Sequence, residues 1–389
     1  MKLWIILALA FAACNEPRGV VLWHAYSDQE RTALEANAAA WNSTHPDTPL
    51  TLVFVPHDAF ADKLSSAIPR GNGPDLFIYP QDRIGDWADA GVIEPLEFWV
   101  DDARADRFAE DALGAMTYRD SLWGLPFAQK TLALYYRTDL VAQPPNTTDE
   151  LLALAPAMRA RHGFALAYAN VDLYGHSPWL HGFGGRVMDD AGKLAIATPE
   201  AAAAMTFARE LVTTGAVPDD AQDPLVASLF NEGRAATAMA GPYFAANIAD
   251  GVPWKVAPLP IISATGKPAA PFASTEGVLM SARAANKATA FAVMDFLTQD
   301  RQAKVRALRG HQIVPNAVLG TDPELVEDKV ISAFTRQLAH VVPMPKGSGM
   351  RVVWTPYRTA LGDVLSGRAE PYQRLVKLEG EIAGYAERK

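Results

Sequence analysis

The sequence lacks several features that define common classes of protein. Its 389 residues include one cysteine, Cys14, so no disulfide forms within the chain and apolar burial must supply the stability. No basic run is long enough to follow a phosphate backbone, and the net charge of -9 also argues against nucleic-acid binding. The eight histidines show no metal-ligand spacing, so we expect neither a metal nor a cofactor.

Enzyme motifs and flexible linkers are missing as well. There is no Gly-Lys-Ser/Thr phosphate loop, no Gly-x-Ser-x-Gly elbow, no fixed-period repeat and no Gly/Ser linker. Hydrophobic residues make up 49% and charged residues 20%, which is typical of a globular protein long enough for two domains. Without a linker, we expect the domains to exchange segments through a strand hinge.

The N-terminus carries an apolar run that is too short to span a bilayer. Residues 1–13 combine a basic start with this run, which predicts a signal peptide. The run ends in Phe11-Ala12-Ala13-Cys14, which resembles a bacterial lipobox, although Phe11 replaces the usual aliphatic residue. We therefore expect Cys14 to be the lipidated, palmitate-bearing first residue of a tether, 14–19. The alternative is a signal peptide with an incidental cysteine.

A strand-to-helix junction is the most informative stretch of the mature chain. Residues 75–79 form an apolar run of the buried, parallel-strand type, and Pro80 stops it. Tyr79, Asp82 and Arg83 therefore lie at the carboxyl end of a strand, where open α/β sheets bind ligands. An aromatic face beside a carboxylate and a guanidinium suits a polyhydroxylated ring. A strand end with solvated charges is the alternative.

Strands and helices alternate from Val20 to Gly91, which predicts a parallel sheet with crossover helices. Ser27 and Glu30 form a predicted capping box at the first of these helices. Residues 170–181 are predicted to be a loop, and the chain after Asp322 to be mainly helical.

Several segments, in the same order along the chain, resemble the family of extracellular sugar-binding receptors of ABC importers. They are Gly73-Pro74-Asp75 through Gly91, Trp123 through Leu140, Leu229 through Tyr243, and Trp354 through Ala360. The resemblance implies an α/β fold of the periplasmic-binding-protein type, with two lobes of mostly parallel sheet, a hinge, discontinuous domains and a helical C-terminus. It implies lobe 1 at 20–128 and 280–323, and lobe 2 at 129–279 and 324–389.

The resemblance also implies ligand-binding positions in a cleft between the lobes. Asp82 and Arg83 match the acid and arginine of the first lobe, and Asp172 matches the acid of the second. Glu276 is a candidate by position only. The family's aromatic stacking positions fall on Tyr79, Tyr174, Tyr243 and Trp354.

Two positions depart from the maltodextrin-binding pattern. Ser27-Asp28 stands where that pattern has a lysine, and Lys130 stands where it has a hinge glutamate. Either Asp28 and Lys130 are a charge swap across the cleft, or the ligand differs.

The resemblance implies a monomeric receptor that binds a di- or oligosaccharide without chemistry and delivers it to a membrane permease. It would lie outside the cytoplasm, anchored to a bacterial membrane through Cys14. A receptor for an anionic or phosphorylated solute is the alternative, motivated by Arg83 and Lys130. A glycoside hydrolase using Asp82 and Asp172 is more remote, because Arg83 is expected to lower the pKa of Asp82.

Overall fold

The fold is known from a computed structural model, which describes residues 19–189, 191–347 and 349–386. The predicted signal peptide, the tether and Cys14 lie outside the described residues, apart from Gly19. The strands are β1 Val20–His24, β2 Leu50–Phe54, β3 Leu76–Pro80, β4 Thr117–Tyr118, β5 Ser121–Leu122, β6 Gly124–Lys130, β7 Ala133–Arg137, β8 Phe164–Ala167, β9 Ala235–Ala240, β10 Trp254–Ala257, β11 Ile261–Ile262, β12 Lys267–Pro268, β13 Phe272–Met280 and β14 Val342–Pro343.

Helices surround these strands and dominate the C-terminal part of the chain. They are α1 Asp28–Thr44, α2 His57–Ala67, α3 Ile84–Asp89, α4 Asp102–Ala105, α5 Glu110–Ala115, α6 Thr148–Ala153, α7 Ala155–Arg159, α8 Leu173–Gly182, α9 Pro199–Thr213, α10 Asp223–Asn231, α11 Lys287–Leu297, α12 Asp300–Gly310, α13 Pro323–Glu327, α14 Lys329–Gln337, α15 Trp354–Leu365 and α16 Pro371–Ala386. Single 3-10 turns span Gln81–Arg83, Pro242–Asn247, Ala317–Thr321 and Met350–Val352. None of the described helices is long and apolar enough to cross a bilayer.

The first sheet is built around β1, which pairs in parallel with β2 and β3. Strand β13 pairs antiparallel with both β3 and β6, and its first residues pair in parallel with β14. Because β6 and β3 are both antiparallel to β13, they run in the same direction. The strands β1, β2, β3 and β6 therefore all end at one edge of this sheet.

The second sheet has the order β10-β7-β9-β8. Strands β8 and β9 are parallel, whereas β7 runs antiparallel to β9 and β10 runs antiparallel to β7. The α/β class with a helical C-terminus is confirmed, and most strands within each of these two sheets run in one direction. Strands β13 and β14 are reversed in the first sheet, and β7 is reversed in the second. The predicted β-α-β crossovers account for the parallel strands β1 to β3, and β8 and β9 form a further parallel pair.

Each sheet has its own apolar core. Leu22, Leu76 and Val278 of the first sheet pack with Phe291 and Met294 of α11. In the second, Tyr135 and Ala238 pack with residues of α14, Phe334 among them. The two cores fit the division into lobes, which stays a proposal. Its boundary at 279/280 disagrees with strand pairing, because β13, from Phe272, hydrogen-bonds into the first sheet.

Two local predictions at helix starts are wrong. Ser27 is the residue before α1, but its side chain makes no capping hydrogen bond. Glu30 bonds to distant side chains, as described below, instead of reaching back to Ser27. The predicted loop at 170–181 contains helix α8, with Pro178 inside it. Pro178 and Gly175 obscured a helix whose start is set by the Asp172 side chain, which accepts the Tyr174 N–H.

Candidate functional site

The connection between β6 and β7 brings together the edges at which strands of the two sheets end. Strand β6 ends at Lys130, at the edge where β1 and β3 also end. Strand β7 begins at Ala133, opposite Ala240 at the end of β9. Because only residues 131–132 separate these strands, the carboxyl ends of the first sheet lie next to those of β8 and β9. This junction is where open α/β folds bind ligands.

On the first side, Asp82 lies in the 3-10 turn that follows β3. Gln81 fixes this turn: its Oε1 accepts the Thr275 N–H at 2.6 Å and its Nε2 donates to the Met344 carbonyl at 3.2 Å. Asp82 is buried, and the Trp354 side chain is close enough to its carboxylate to affect its pKa. The turn therefore brings two of the predicted site residues, Asp82 and Trp354, together.

Burial controls the ionisation of Asp82. Desolvation raises its pKa to about 6, although the Arg83 guanidinium and the Trp354 side chain lower it. Arg83 lowers this pKa as expected, but the expected net decrease is wrong, because burial outweighs the attraction. Arg83 also lies 3.7 Å from Asp86, which in turn lies 3.6 Å from Arg351.

Tyr79 is the most deeply buried of the four predicted stacking residues. Its ring packs against Trp87 at 4.9 Å, Phe60 at 5.4 Å and His57 at 5.9 Å between centroids. Burial raises the pKa of its hydroxyl, and the nearby Arg83 guanidinium lowers it. Tyr79 thus lies beside Arg83 at the core of the first sheet, and its predicted contact with ligand stays a prediction.

On the second side, two half-buried tyrosines lie beyond the ends of β8 and β9. Tyr174 is in the first turn of α8, and Tyr243 is in the 3-10 turn after β9. The Tyr243 hydroxyl donates to Asp223 Oδ2 at 3.3 Å. Burial raises the pKa of both tyrosines, and the charge of Glu276 on β13 adds to the rise at Tyr174. That influence links the second side of the site to the first.

Asp172, the predicted acid of the second side, has two structural partners. Its Oδ1 accepts the Tyr174 N–H at 2.7 Å, and its Oδ2 accepts from Arg358 at 2.9 Å. The first bond caps α8 and the second joins α8 to α15. Asp172 therefore fixes the positions of Tyr174 and of the helix that begins with Trp354.

A group of buried charges lies between the two sides, and we call it the hinge cluster: Tyr26, Glu30, Lys130, Glu276 and Gln312. The Lys130 ammonium is 3.2 Å from Glu276 and 3.5 Å from Glu30. The Tyr26 hydroxyl donates to Glu276 at 2.6 Å, and Gln312 Nε2 donates to Glu30 at 3.2 Å. Burial alone would lower the pKa of Lys130, but Glu276 and Glu30 together raise it, which keeps the ammonium charged.

The hinge cluster corrects the proposed swap between Asp28 and Lys130. The carboxylates against Lys130 are Glu30 and Glu276, whereas Asp28 and Ser27 are exposed at the start of α1. The negative charge that Lys130 requires is thus supplied by Glu30, half a turn beyond Asp28 in α1, and by Glu276 on the neighbouring strand β13. Contact of Ser27 and Asp28 with a ligand stays a prediction.

Sequence reasoning missed four polar residues of this region. Glu30 was assigned to a helix cap, and Asp223 to no role. Tyr26 had a usable signal, because it lies two residues beyond the carboxyl end of β1. The fourth, Gln312, lies in the segment that returns from α12. Among the described residues, no group of three or more His, Cys, Asp and Glu side chains is placed to hold a metal ion.

Comparison with known proteins identifies the family. The family model described as bacterial extracellular solute-binding protein matches residues 26–304 of this chain. The chain belongs to that family. It is similar to a maltotriose-binding protein of Pyrococcus abyssi, with 31% identity over 91% of this chain and 79% of the relative. It is also similar to a galactooligosaccharide-binding protein of Bacillus subtilis, with 25% identity over 95% of this chain and 92% of that protein.

Solved structures of solute-binding proteins share the fold over nearly the whole chain. The maltotriose-binding protein of Thermus thermophilus, bound with maltotriose, has a TM-score of 0.86 and 25% identity, covering 94% of this chain and 100% of that structure. A cyclo/maltodextrin-binding protein complexed with maltotetraose has a TM-score of 0.81 and 28% identity, covering 95% of this chain and 98% of that structure. The fold implied by the family resemblance is therefore confirmed.

Proposed function

We propose that this solute-binding protein binds an oligosaccharide of the maltodextrin type between the two sheets and delivers it to the permease of an ABC importer. The lobes exchange between open and closed forms, and the sugar favours the closed form because only there do both sides touch it. Tyr174, Tyr243 and Trp354 stack on sugar rings, with Tyr79 as a further candidate. Hydroxyls are oriented by the polar candidates: Ser27, Asp28, Asp82, Arg83, Lys130, Asp172 and Glu276.

One observation carries this proposal: the pairing of the buried Asp82 carboxylate with the indole of Trp354. A flat ring covers the C–H face of a sugar, and a carboxylate beside it accepts hydrogen bonds from hydroxyls. The similarity to proteins named for maltotriose and maltodextrin gives the sugar class.

Calorimetry with a series of sugars tests the proposal directly. We expect maltotriose or a neighbouring maltodextrin to bind with a Kd near micromolar, about -8 kcal/mol. Glucose should bind much more weakly because it cannot reach aromatics on both sides. X-ray scattering with the same sugars should show a smaller radius of gyration. Absence of heat and of thermal stabilisation with every glucan would refute the maltodextrin assignment.

A galactooligosaccharide is the second candidate ligand, because a relative with that name aligns over 95% of this chain. Galactooligosaccharides therefore belong in the same titration series. If they bind more tightly than maltotriose, a galactooligosaccharide replaces the maltodextrin as the proposed ligand. An anionic solute is less favoured. Lys130 lies against two carboxylates and Arg83 lies near Asp86, so neither cation offers an unbalanced charge.

We propose that binding occurs without hydrolysis. The raised pKa of Asp82 would suit a general acid. The other carboxylate of the suggested pair, Asp172, is hydrogen-bonded to Arg358 and to the start of α8. A day of incubation with maltotriose, followed by chromatography, should return the sugar intact. Release of glucose or maltose, lost in Asp82→Asn, would establish an enzyme instead.

We further propose that Cys14 anchors the protein, as a monomer, to the outside of a bacterial membrane. The apolar run before Cys14 and its lipobox-like ending support this. Labelled palmitate should be incorporated into the protein, and Cys14→Ala should abolish labelling and move the protein to the soluble fraction. Equal labelling of the variant would rule out this anchor.

A further inference from the structure

The hinge cluster connects the segments that pass between the two sheets. Lys130 ends β6 just before the chain enters β7, and Glu276 lies on β13, in register beside β6. Gln312 lies in the return from α12, where the Gln129 N–H also donates to the Ile313 carbonyl at 2.7 Å. Glu30 of α1 bonds to two of these segments, through Lys130 and Gln312. It therefore holds side chains from two separate segments in one arrangement.

The charges within this cluster are arranged so that Lys130 is neutralised. The Lys130 side chain is 22% exposed, whereas Glu30 and Glu276 are 11% and 10% exposed. Charges this sheltered are weakly screened by salt, so each carboxylate has a strong effect on the ammonium. Burial raises the pKa of Glu30 and the Lys130 ammonium lowers it, which shows that each charge depends on the other.

The remaining neighbours do not supply another cation at the ammonium. Tyr26 is a neutral donor to Glu276, because burial and the nearby glutamates raise its pKa. The Arg306 guanidinium is separated from Glu30 by Gln312, whose Oε1 accepts from Arg306 at 3.2 Å. The Arg306 side chain is occupied by the Phe127 and Leu297 carbonyls as well. Lys130 and the two glutamates thus sum to a single negative charge.

We propose that Glu30 is a specificity-determining residue, which positions Lys130 and cancels its charge so that the cleft accepts neutral sugars in preference to anionic ones. This inference rests on the proposed sugar-binding function. An ammonium has three N–H donors, and two carboxylates orient it. A neutral hydroxyl needs only such a fixed donor, whereas a phosphate or carboxylate would also need an excess of positive charge. Without Glu30, Lys130 would retain one carboxylate, and the cluster would repel anions less.

The test compares Glu30→Gln, Lys130→Met and the double variant with the unmodified protein. Glu35→Gln is the matched control, because Glu35 lies on the same helix in an exposed pair with Arg31. Affinities are measured by calorimetry for maltose, for maltobionate, which has a carboxylate at one end, and for maltose 6′-phosphate, which has a phosphate at the other. The two anions together place charge at both ends of the sugar.

We expect Glu30→Gln to weaken maltose binding about tenfold, the effect of one charge-assisted hydrogen bond. The preference for maltose over at least one anion should fall by about tenfold or more. In the Lys130→Met background the same change at Glu30 should leave that preference nearly constant, and Glu35→Gln should leave it unaltered. Such non-additivity locates the effect in the Glu30–Lys130 pair.

Other results overturn the inference. A lower melting temperature for Glu30→Gln with an unaltered preference would make Glu30 purely structural. If Glu30→Gln also abolishes the preference for maltose over the anions in the Lys130→Met background, Glu30 does not act through Lys130. If Glu30→Gln does not fold, the double variant, in which Glu276 keeps the Tyr26 hydrogen bond, takes its place, and equal preferences in it and in Lys130→Met are required. If the unmodified protein binds no sugar, the proposed function fails and this inference fails with it. If the unmodified protein binds maltose but Glu30→Gln leaves the preference for maltose over the anions unaltered, the inference alone fails.

Discussion

Asp82 and Asp172 occupy corresponding places in the two sheets, yet their surroundings differ. Asp82 lies just beyond β3, is buried, and has the Trp354 indole beside it. Asp172 lies beyond β8, is half-buried, and accepts bonds from the Tyr174 N–H and from Arg358. One carboxylate thus lies in a dry place beside a ring, whereas the other is engaged by a helix start and a cation.

This difference separates an acid that is suited to a ligand from one that positions other residues. Keeping Asp82 ionised at neutral pH costs free energy, as its pKa of about 6 indicates. Such a cost is typical of functional sites, where an incoming ligand supplies the missing hydrogen bonds. Asp172 instead accepts hydrogen bonds from two partners within the protein, which stabilise the fold itself. Asp82 and Asp172 both lie at the end of a strand, so their different burial and hydrogen-bond partners decide their different roles.

The largest effect should come from removing the Asp82 charge. We expect Asp82→Asn to weaken maltotriose binding by about 2 to 3 kcal/mol, roughly 100-fold, because a buried carboxylate accepts stronger hydrogen bonds than an amide. Calorimetry measures the change, and Asp172→Asn is the control because Asn also caps helices well. Equal losses in the two variants would erase the distinction between the acids.

The second effect is a pH dependence that only Asp82 should produce. Its pKa of about 6 means that protonation competes with ligand as the pH falls. Affinity for maltotriose should be constant above about pH 7 and decrease up to tenfold per unit below about 6. Trp354→Phe removes the indole that lowers this pKa, so the decrease should begin at a higher pH. A flat affinity profile in calorimetry from pH 5 to 8 would contradict this role.

The third effect concerns folding stability, which should rise when Asp82 is replaced and fall when Asp172 is replaced. The folded-state pKa of Asp82 lies above its unfolded value of 3.8, so its ionisation opposes folding as the pH rises through about 6. We expect Asp82→Asn to stabilise the ligand-free protein by about 1 to 2 kcal/mol at pH 7. The gain should disappear near pH 4, where both forms are neutral. Urea unfolding at the two pH values measures it, and a loss of stability at pH 7 would oppose this explanation.

Local patterns predicted the first side of the site better than the rest. The apolar strand closed by Pro80 placed Asp82 and Arg83 at a sheet edge. This feature depends on neighbouring residues, because proline removes a backbone donor and the strand must end. The resemblance to the family supplied Trp354, which begins a helix and has no local pattern that indicates a ligand.

The hinge cluster could not be predicted because its bonds join distant parts of the chain. Glu30 and Lys130 are 100 residues apart, and Tyr26 and Glu276 are 250 apart. A glutamate three residues after a serine matches a capping box whether or not a distant cation is present. The packed sheets decide between these outcomes, since they bring β6 and β13 to the start of α1. The sign of the Asp82 pKa shift also depended on burial, which the adjacent Arg83 could not reveal.

The smallest effect should come from Asp172 and completes the contrast with Asp82. Asp172→Ala removes the cap of α8 and the partner of Arg358, so we expect a loss of about 1 kcal/mol in stability. Binding of maltotriose should weaken less than in Asp82→Asn, since Tyr174 and Trp354 would shift rather than disappear. Arg358→Met retains the cap and should cost under about 1 kcal/mol. A stronger loss of binding in Asp172→Ala than in Asp82→Asn, measured by calorimetry on folded protein, would make Asp172 the main acceptor of the sugar.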